Sequence, residues 1–179
     1  MRTPFSILLI SFSLIAFRFP FTVNRSSFAS LSPAVSRLPA ETRLAKTEPR
    51  TATPVFSMEE EILGFVNDDR AALGLPALTL NETESRIAAR HSENMASGRV
   101  GFGHSGFNSR AKAIQKSINS VTSVAENVAE GQMTAREVVD GWLHSPEHKK
   151  NIEGNFTLTG IGYARDKKGN IYFTQLFSR

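Results

Sequence analysis

Two histidines, His144 and His148, lie four residues apart in the stretch WLHSPEHKKN, with Glu147 between them. Such spacing suggests a zinc-binding helix of the metalloprotease type, in which a glutamate directly follows the first histidine. Here the order is H-S-P-E-H, and carrying a continuous helix through Pro146 costs about 3 kcal/mol. We therefore expect Ser145 to cap a new short helix that starts at the proline. The two histidines then lie on different helices, and the zinc-helix interpretation is rejected.

Two residues far upstream, His104 and Glu126, are the other candidates for a site that includes His148. His104 stands in the glycine-rich stretch GFGHSG, where backbones can approach closely. Glu126 stands between alanine and asparagine, ahead of several small residues. Two imidazoles and a carboxylate could bind a divalent cation such as zinc or act as a general acid–base set. Spacing alone also leaves a plainer interpretation open, in which the histidines are hydrogen-bonded structural residues and the glutamate is solvated.

Two helices are predicted ahead of the glycine-rich stretch. Each begins at a capping-box pattern, Ser57–Glu60 in the first and Asn81–Glu84 in the second, where side chains satisfy free backbone amides. Apolar residues then recur at helical spacing until Gly74 and Gly98 end the two runs. The glycine-rich residues 100–107 predict a short strand or a structured loop.

The second half of the domain combines shorter helices with a closing hairpin. Residues 109–119 predict a short helix, and Thr134 is expected to cap another. Residues 157–164 and 170–177 predict strands, joined by a turn at residues 166–170 that contains a glycine. Helices first and a hairpin last predict an α+β fold, with helices packed on a small antiparallel sheet.

The N-terminal third differs in composition from the rest. Residues 1–29 begin with a basic residue and contain a mostly apolar run, typical of a secretory signal and shorter than the about 20 residues of a membrane span. Arg18 interrupts the run and the cleavage pattern is poor before residues 27–29, so an uncleaved signal anchor stays open beside a cleaved signal. Residues 30–57, rich in proline, serine and arginine, predict a disordered linker. Residues 58–179 form the predicted folded domain of a secreted or membrane-anchored protein.

Charge and cysteine content exclude several classes of function. The chain carries a net charge of +4, but residues 1–57 hold seven Lys and Arg against two Glu, whereas residues 58–179 hold 14 basic and 15 acidic residues. Nucleic-acid binding is not predicted, because it would need a basic face on the domain itself. The absence of cysteine excludes disulfides, thiolate zinc sites and cysteine nucleophiles. An exported domain without disulfides suits a bacterial origin.

Short motifs follow one another in a fixed order along residues 58–179. They are VNDDR (66–70) with GLP (74–76), AARHSENM (88–95), FGH (102–104), AEN (125–127), VVDGW (138–142), SPEHKKN (145–151), GIG (160–162) and YFTQLF (172–177). Together they resemble the CAP superfamily, the group of cysteine-rich secretory proteins, antigen five and pathogenesis-related proteins. The resemblance is to its bacterial SCP-like extracellular branch in particular.

The resemblance implies an α-β-α sandwich, with a small central antiparallel sheet flanked by helices, and a central cleft that holds two histidines and two acids. His104 matches the first histidine, Glu126 the glutamate and His148 the second histidine. The better-known eukaryotic members place the second acid three residues after the tryptophan, which is Trp142 here, but that position is Ser145. The resemblance therefore implies a His–Glu–His trio as the ligand or metal site, and as the catalytic residues if the protein is an enzyme.

Other residues of these motifs have simpler expected roles. Glu137 and Glu147 are nearby acids that could replace the missing fourth member, but neither is assigned to it. His91 is expected in the core or at its boundary, on a helix face with apolar neighbours. Asn67 and Arg70 are expected to tie the first helix to neighbouring loops, and the tryptophan is expected in the core.

Three functions are compatible with these features. The first is a non-catalytic extracellular module that binds a small ligand, a lipid, a cell-envelope component or a divalent cation, since no nucleophile of the G-x-S-x-G type is present. The second is a metal-assisted hydrolase or peptidase acting on peptide or cell-envelope material, with the trio holding zinc and activating water. The third is an adhesive protein on a tethering linker, which does not account for the trio. Contact with a membrane is expected only through an uncleaved N-terminal signal.

Overall fold

The structure is a computed structural model that describes residues 56–179. The predicted signal at residues 1–29 and almost all of the predicted linker at residues 30–57 lie outside the described residues. In the described part, no helix is both long enough and apolar enough to cross a membrane. Its helices and strands are, in chain order, α1 (Met58–Ala72), β1 (Thr79–Leu80), α2 (Glu82–Ala96), α3 (Phe107–Ser117), β2 (Val124–Glu130), α4 (Ala135–Leu143), α5 (Pro146–Ile152), β3 (Leu158–Arg165) and β4 (Ile171–Ser178).

The four strands form one sheet in the order β1-β3-β4-β2. β3 and β4 make the predicted antiparallel hairpin, and β2 pairs antiparallel with the other side of β4. β1 is a short parallel edge beside β3, where the amides of Thr79 and Asn81 donate to the carbonyls of Thr157 and Thr159. The α+β prediction is confirmed, but the sheet is mixed rather than purely antiparallel, because the chain between α1 and α2 runs in the same direction as β3.

Helices cover both faces of this sheet, and the sandwich has the three layers that the resemblance implied. Alternate residues of a strand point to opposite faces. Phe173 and Phe177 therefore pack with Trp142 in the core shared with α1, α4 and α5. Leu176, on the other face, packs with Ala88 in a smaller cluster shared with α2 and α3. The tryptophan lies in the core, as expected.

Arg70 fastens α1 to the segment between α5 and β3. Its side chain is only 1% exposed. The guanidinium donates to the carbonyls of Pro76 at 2.8 Å, Ile152 at 2.7 Å, Gly154 at 2.9 Å and Phe156 at 3.3 Å. Because the last three lie at the end of α5 or just after it, Arg70 fixes the position of that helix relative to α1.

Asn67, one turn earlier on α1, anchors the approach to β1 in the same way. Its side-chain amide donates to the carbonyl of Leu78 at 3.1 Å, and its side-chain oxygen accepts from the Leu78 amide at 2.8 Å. This pair of bonds satisfies both backbone groups of a buried residue, which would otherwise be costly to leave unpaired. The expectation that Asn67 and Arg70 tie α1 to loops is confirmed.

α2 lies directly against two glycines of β3. A Cβ atom added at Gly160 would lie 2.2 Å from Glu84, and one at Gly162 would lie 2.2 Å from the Ala89 nitrogen. Real side-chain atoms do not approach a backbone so closely, so any larger residue would push the helix off the sheet. The GIG motif therefore sets how close α2 comes to the sheet.

The capping box predicted at the start of α2 forms only in part. Asn81 accepts a hydrogen bond from the Glu84 amide at 3.1 Å. The Glu84 carboxylate does not return to the cap, because the closeness of α2 to the sheet buries it, and it accepts a hydrogen bond from the Ser178 hydroxyl at the end of β4. Burial raises the pKa of Glu84, although the Ser178 hydrogen bond lowers it. The box predicted at Ser57–Glu60 is complete.

Candidate functional site

Glu126 lies on β2 and is the centre of a polar network. Its side chain is 1% exposed, and both of its oxygens are engaged. Arg110 of α3 donates through Nε to Oε2 and through Nη2 to Oε1, each at 2.7 Å. His104 Nδ1 lies 2.9 Å from Oε1. A bidentate guanidinium–carboxylate pair is among the strongest and most directional of protein hydrogen bonds, so the orientation of Glu126 is fixed.

The protonation state of Glu126 decides which ring nitrogen of His104 carries a proton. Burial alone would raise the pKa of Glu126, but the hydrogen bonds from His104 and Arg110 and the charge of Arg110 outweigh it, and the pKa is lowered. An ionised carboxylate can only accept hydrogen bonds. His104 Nδ1 therefore donates, and when the imidazole is neutral the lone pair lies on Nε2. The side chain of His104 is 41% exposed, which makes it the accessible part of the network.

The loop that carries His104 is fastened at several points. Gly103 has a φ of +130°, a conformation that favours glycine, and its carbonyl lies 2.8 Å from His91 Nε2. Since a carbonyl accepts, His91 donates through Nε2 from its buried position on α2, and burial is the main cause of its lowered pKa. The ring of Phe102 packs against Tyr172 with centroids 6.5 Å apart. Residues 100–106 are a structured loop rather than a strand, residue 107 already belongs to α3, and His91 lies in the core as expected.

Arg110 is the functional residue that sequence reasoning missed. It lies within the helix predicted at residues 109–119, and that prediction rests on the apolar face of the helix alone. Besides its two bonds to Glu126, it donates through Nη1 to the Ser105 carbonyl at 2.8 Å. It thereby neutralises the carboxylate and holds the His104 loop at once. The pairing joins residues 16 apart in the chain, and no local pattern in the sequence marks it.

His148 enters the site from α5, which covers the free edge of β2. The Asn127 side chain donates to the His148 carbonyl at 3.1 Å, and Asn151 donates to Asn127 Oδ1 at 2.8 Å and to the Glu126 carbonyl at 3.3 Å. The bond to Glu126 satisfies a backbone carbonyl of this edge strand, and the other two join β2 to α5 through side chains. Burial and the nearby charge of His104 lower the pKa of His148, while Glu147 raises it. His148 is therefore mainly neutral near pH 7.

The helix break predicted in the opening stretch is confirmed. α4 ends at Leu143 and α5 begins at Pro146, with Ser145 at the N-cap position. His144 is exposed at the end of α4, where its Nδ1 lies 2.7 Å from the Asp140 carbonyl. His148, by contrast, is half-buried on the next helix. The two histidines have different surroundings despite their spacing.

Neither Glu137 nor Glu147 takes the place of the second cleft acid in this structure. The Glu137 carboxylate accepts from the backbone amides of Met133 at 2.8 Å and Thr134 at 3.2 Å, completing the cap of α4. Glu147 lies exposed in the first turn of α5. Ser145 makes no side-chain capping bond. The structure thus places two histidines, one glutamate and one arginine around β2, with a serine at the position of the second acid.

The predicted metal trio is brought together only in part. His104 and Glu126 are hydrogen-bonded, whereas the side chain of His148 makes no hydrogen bond to either within residues 56–179. In that part of the chain, no group of three or more His, Cys, Asp or Glu is placed to hold a metal ion. Because Arg110 places a positive charge against Glu126, a cation at the same carboxylate would be repelled. The described arrangement therefore lends no support to a zinc ion bound by all three residues, and zinc binding by His104, Glu126 and His148 stays a prediction.

Comparison with known proteins gives one family and several similar chains. The sequence model described as CAP, the cysteine-rich secretory protein family, matches residues 63–177. The chain is 31% identical to YkwD of Bacillus subtilis over 147 residues, which are 80% of this chain and 56% of YkwD. The chain therefore spans about half the length of this curated relative.

Solved structures share the fold. An outer surface protein of Borrelia burgdorferi has a TM-score of 0.60 at 22% identity, covering 69% of this chain and 96% of that one. An extracellular protein containing an SCP domain from Bacillus anthracis has a TM-score of 0.56 at 23% identity, covering 72% of this chain and 45% of that one. At these identities the likeness concerns the fold alone.

Proposed function

The chain belongs to the cysteine-rich secretory protein (CAP) family, and on that premise we propose that it is an exported, non-catalytic binding domain. Its ligand site is the surface at His104 and His148, and the buried Glu126 and its partner Arg110 hold His104 in place. Export is supported by the relatives, one of which is described as extracellular and another as an outer surface protein. The predicted secretory signal agrees with this.

The observation that carries the proposal is the half-exposed imidazole of His104 above a buried and fully engaged Glu126. The carboxylate cannot reach a ligand, so its role is to orient the histidine. His104 offers Nε2 as a hydrogen-bond acceptor, and His148 supplies a second neutral imidazole. With Glu126 and Arg110 neutralising each other, the site suits a polar, uncharged group such as a sugar hydroxyl or a peptide amide.

The exposure of His104 favours an extended ligand over a small enclosed one. Two cavities, of about 360 and 440 Å³, lie elsewhere in the described part of the chain, along α2, and none of their lining residues belongs to this site. Small free ligands are usually held in concave pockets that bury most of their surface. The exposed His104 and the half-buried His148 fit better with a strand of peptide or glycan from the cell envelope.

We expect the His104→Ala/His148→Ala double variant to bind insoluble peptidoglycan at least about tenfold more weakly than the wild type. Each lost hydrogen bond contributes about 1 kcal/mol, and the two together exceed a factor of ten. Co-sedimentation measures the affinity. His144→Ala, which removes an exposed imidazole only four residues from His148, is the matched control and should bind like the wild type. Equal sedimentation of all three proteins contradicts the proposal, and a zinc titration of the same proteins tests the predicted cation.

Hydrolysis is the second candidate, and the His104–Glu126 hydrogen bond favours it. A carboxylate-oriented imidazole with a free Nε2 is the arrangement of a general base. Peptide and envelope substrates incubated with the wild type and with Glu126→Gln separate the two candidates. The binding proposal expects no turnover by either protein, whereas turnover that falls in Glu126→Gln would establish the enzyme.

A further inference from the structure

The outer face of α2 carries a second feature, a cavity of about 360 Å³ lined mainly by arginines. Its lining residues are Arg86, Ala89, Arg90, Glu93 and Arg99. Arg86, Arg90 and Glu93 are exposed on the helix face that points away from the sheet. Ala89, with its short side chain, leaves room between the arginines. No residue of the His104 site takes part.

The arginines of this cavity differ in how they are held. Arg86 donates to Glu82 and to the Thr83 hydroxyl, each at 3.1 Å, so its guanidinium is oriented along the helix. Arg90 and Arg99 make no ion pair and no side-chain hydrogen bond within residues 56–179. Their guanidinium groups keep all their donors for an external partner.

The placement of these charges is unfavourable for the helix itself. Arg86 and Arg90 are four residues apart on one face, a spacing at which like charges destabilise a helix. The domain as a whole is not basic, because residues 58–179 hold 14 basic and 15 acidic residues. The three arginines of the cavity are therefore a local concentration of positive charge. The ion pair with Glu82 offsets this cost for Arg86, whereas Arg90 and Arg99 have no such partner among residues 56–179.

We propose that this cavity binds a phosphate group through the guanidinium groups of Arg90 and Arg99, with Arg86 at its rim. Guanidinium is planar and offers paired donors that match two oxygens of a phosphate. The open mouth of the cavity admits a phosphate on a small molecule as well as one on a lipid headgroup. This binding is independent of the site at His104.

The test compares the wild type with Arg90→Gln/Arg99→Gln, using inorganic phosphate and vesicles of phosphatidylglycerol as probes. Phosphate is followed through the Nε–H signals of the arginines by NMR at constant ionic strength, and vesicles by co-sedimentation against phosphatidylcholine vesicles. We expect wild-type binding to at least one probe and at least about tenfold weaker binding by the double variant. Binding to both probes indicates a site for free phosphate compounds, and binding to vesicles alone indicates a lipid headgroup.

Arg165→Gln/Lys167→Gln is the matched control, because it removes two positive charges from the surface outside the cavity. It should bind both probes like the wild type. Two results would overturn the proposal: no wild-type binding to either probe, or equal binding by the wild type and the Arg90→Gln/Arg99→Gln variant. Because all four side chains are exposed, circular dichroism should show the same fold in each protein.

Discussion

Replacing Arg70 with methionine is expected to lower the free energy of unfolding by about 3 to 5 kcal/mol. Each hydrogen bond from a charged donor contributes about 1.5–3 kcal/mol, and Arg70 makes four to buried or half-buried carbonyls. Methionine fills much of the volume but donates nothing. Some freed carbonyls can accept from water, which keeps the loss below the full sum. Urea unfolding followed by circular dichroism measures the change.

Arg165→Met is the control for this substitution. Arg165 is exposed, and its hydrogen bond to the Gly169 carbonyl is long at 3.4 Å. Exposed substitutions of this kind change stability by within about 0.5 kcal/mol. A loss of less than about 1 kcal/mol in Arg70→Met would show that the arginine does not hold α1 to the end of α5.

The second large effect is expected from Gly162→Ala. The added methyl group would lie 2.2 Å from the backbone nitrogen of Ala89 and 2.4 Å from its Cα atom. Neither atom belongs to a flexible side chain, so α2 must move away from β3. Overpacking usually costs about 1–3 kcal/mol, and we expect about 3 kcal/mol or more here, because a whole helix is displaced. The same urea titration measures this loss.

Gly64→Ala is the matched control, and the expected change has the opposite sign. Gly64 lies inside α1, and a Cβ atom there meets no atom within 4 Å. Alanine is favoured over glycine within a helix by about 1 kcal/mol, so this variant should be more stable than the wild type. Equal stability of Gly162→Ala and the wild type would mean that α2 does not lie as close to the sheet as the structure has it.

Local signals in the sequence were sufficient for most of the helices and for the hairpin. The cap at Ser57 and the helix start at Pro146 depend on neighbouring residues only, and both predictions are confirmed. The closing hairpin follows from alternating apolar residues and a glycine turn. The break before Pro146 also separated His144 correctly from the site.

Strand β2 could not be predicted from the same signals. Its sequence, VAENVAE, holds alanine, glutamate and asparagine, which are depleted in strands. The strand forms because it pairs with β4 along its whole length. Distant side chains also bond to it: Asn151 donates to the Glu126 carbonyl at 3.3 Å and Trp142 donates to the Val128 carbonyl at 3.4 Å. Tertiary contacts of this kind override local preference.

Only the site residues that stand in recognisable sequence motifs could be predicted. His104 and Glu126 were paired by the resemblance, and the structure brings them into contact. Arg110 could not be found, because its partner lies on another element and its own motif carries no signal. The capping role predicted for Glu84 is wrong for a similar reason. A capping pattern is local and carries no information about the packing of α2 on the sheet, where the Glu84 carboxylate accepts a hydrogen bond from Ser178.

The central claim is that Glu126, held by Arg110, turns Nδ1–H of His104 inward and leaves Nε2 for a ligand. Nitrogen-15 NMR of the imidazoles at about pH 8, above the usual histidine pKa of about 6.5, reports the tautomer directly. We predict the Nδ1–H form for His104, and the opposite Nε2–H form for His91, which donates to the Gly103 carbonyl. His104 in the Nε2–H form would contradict the account.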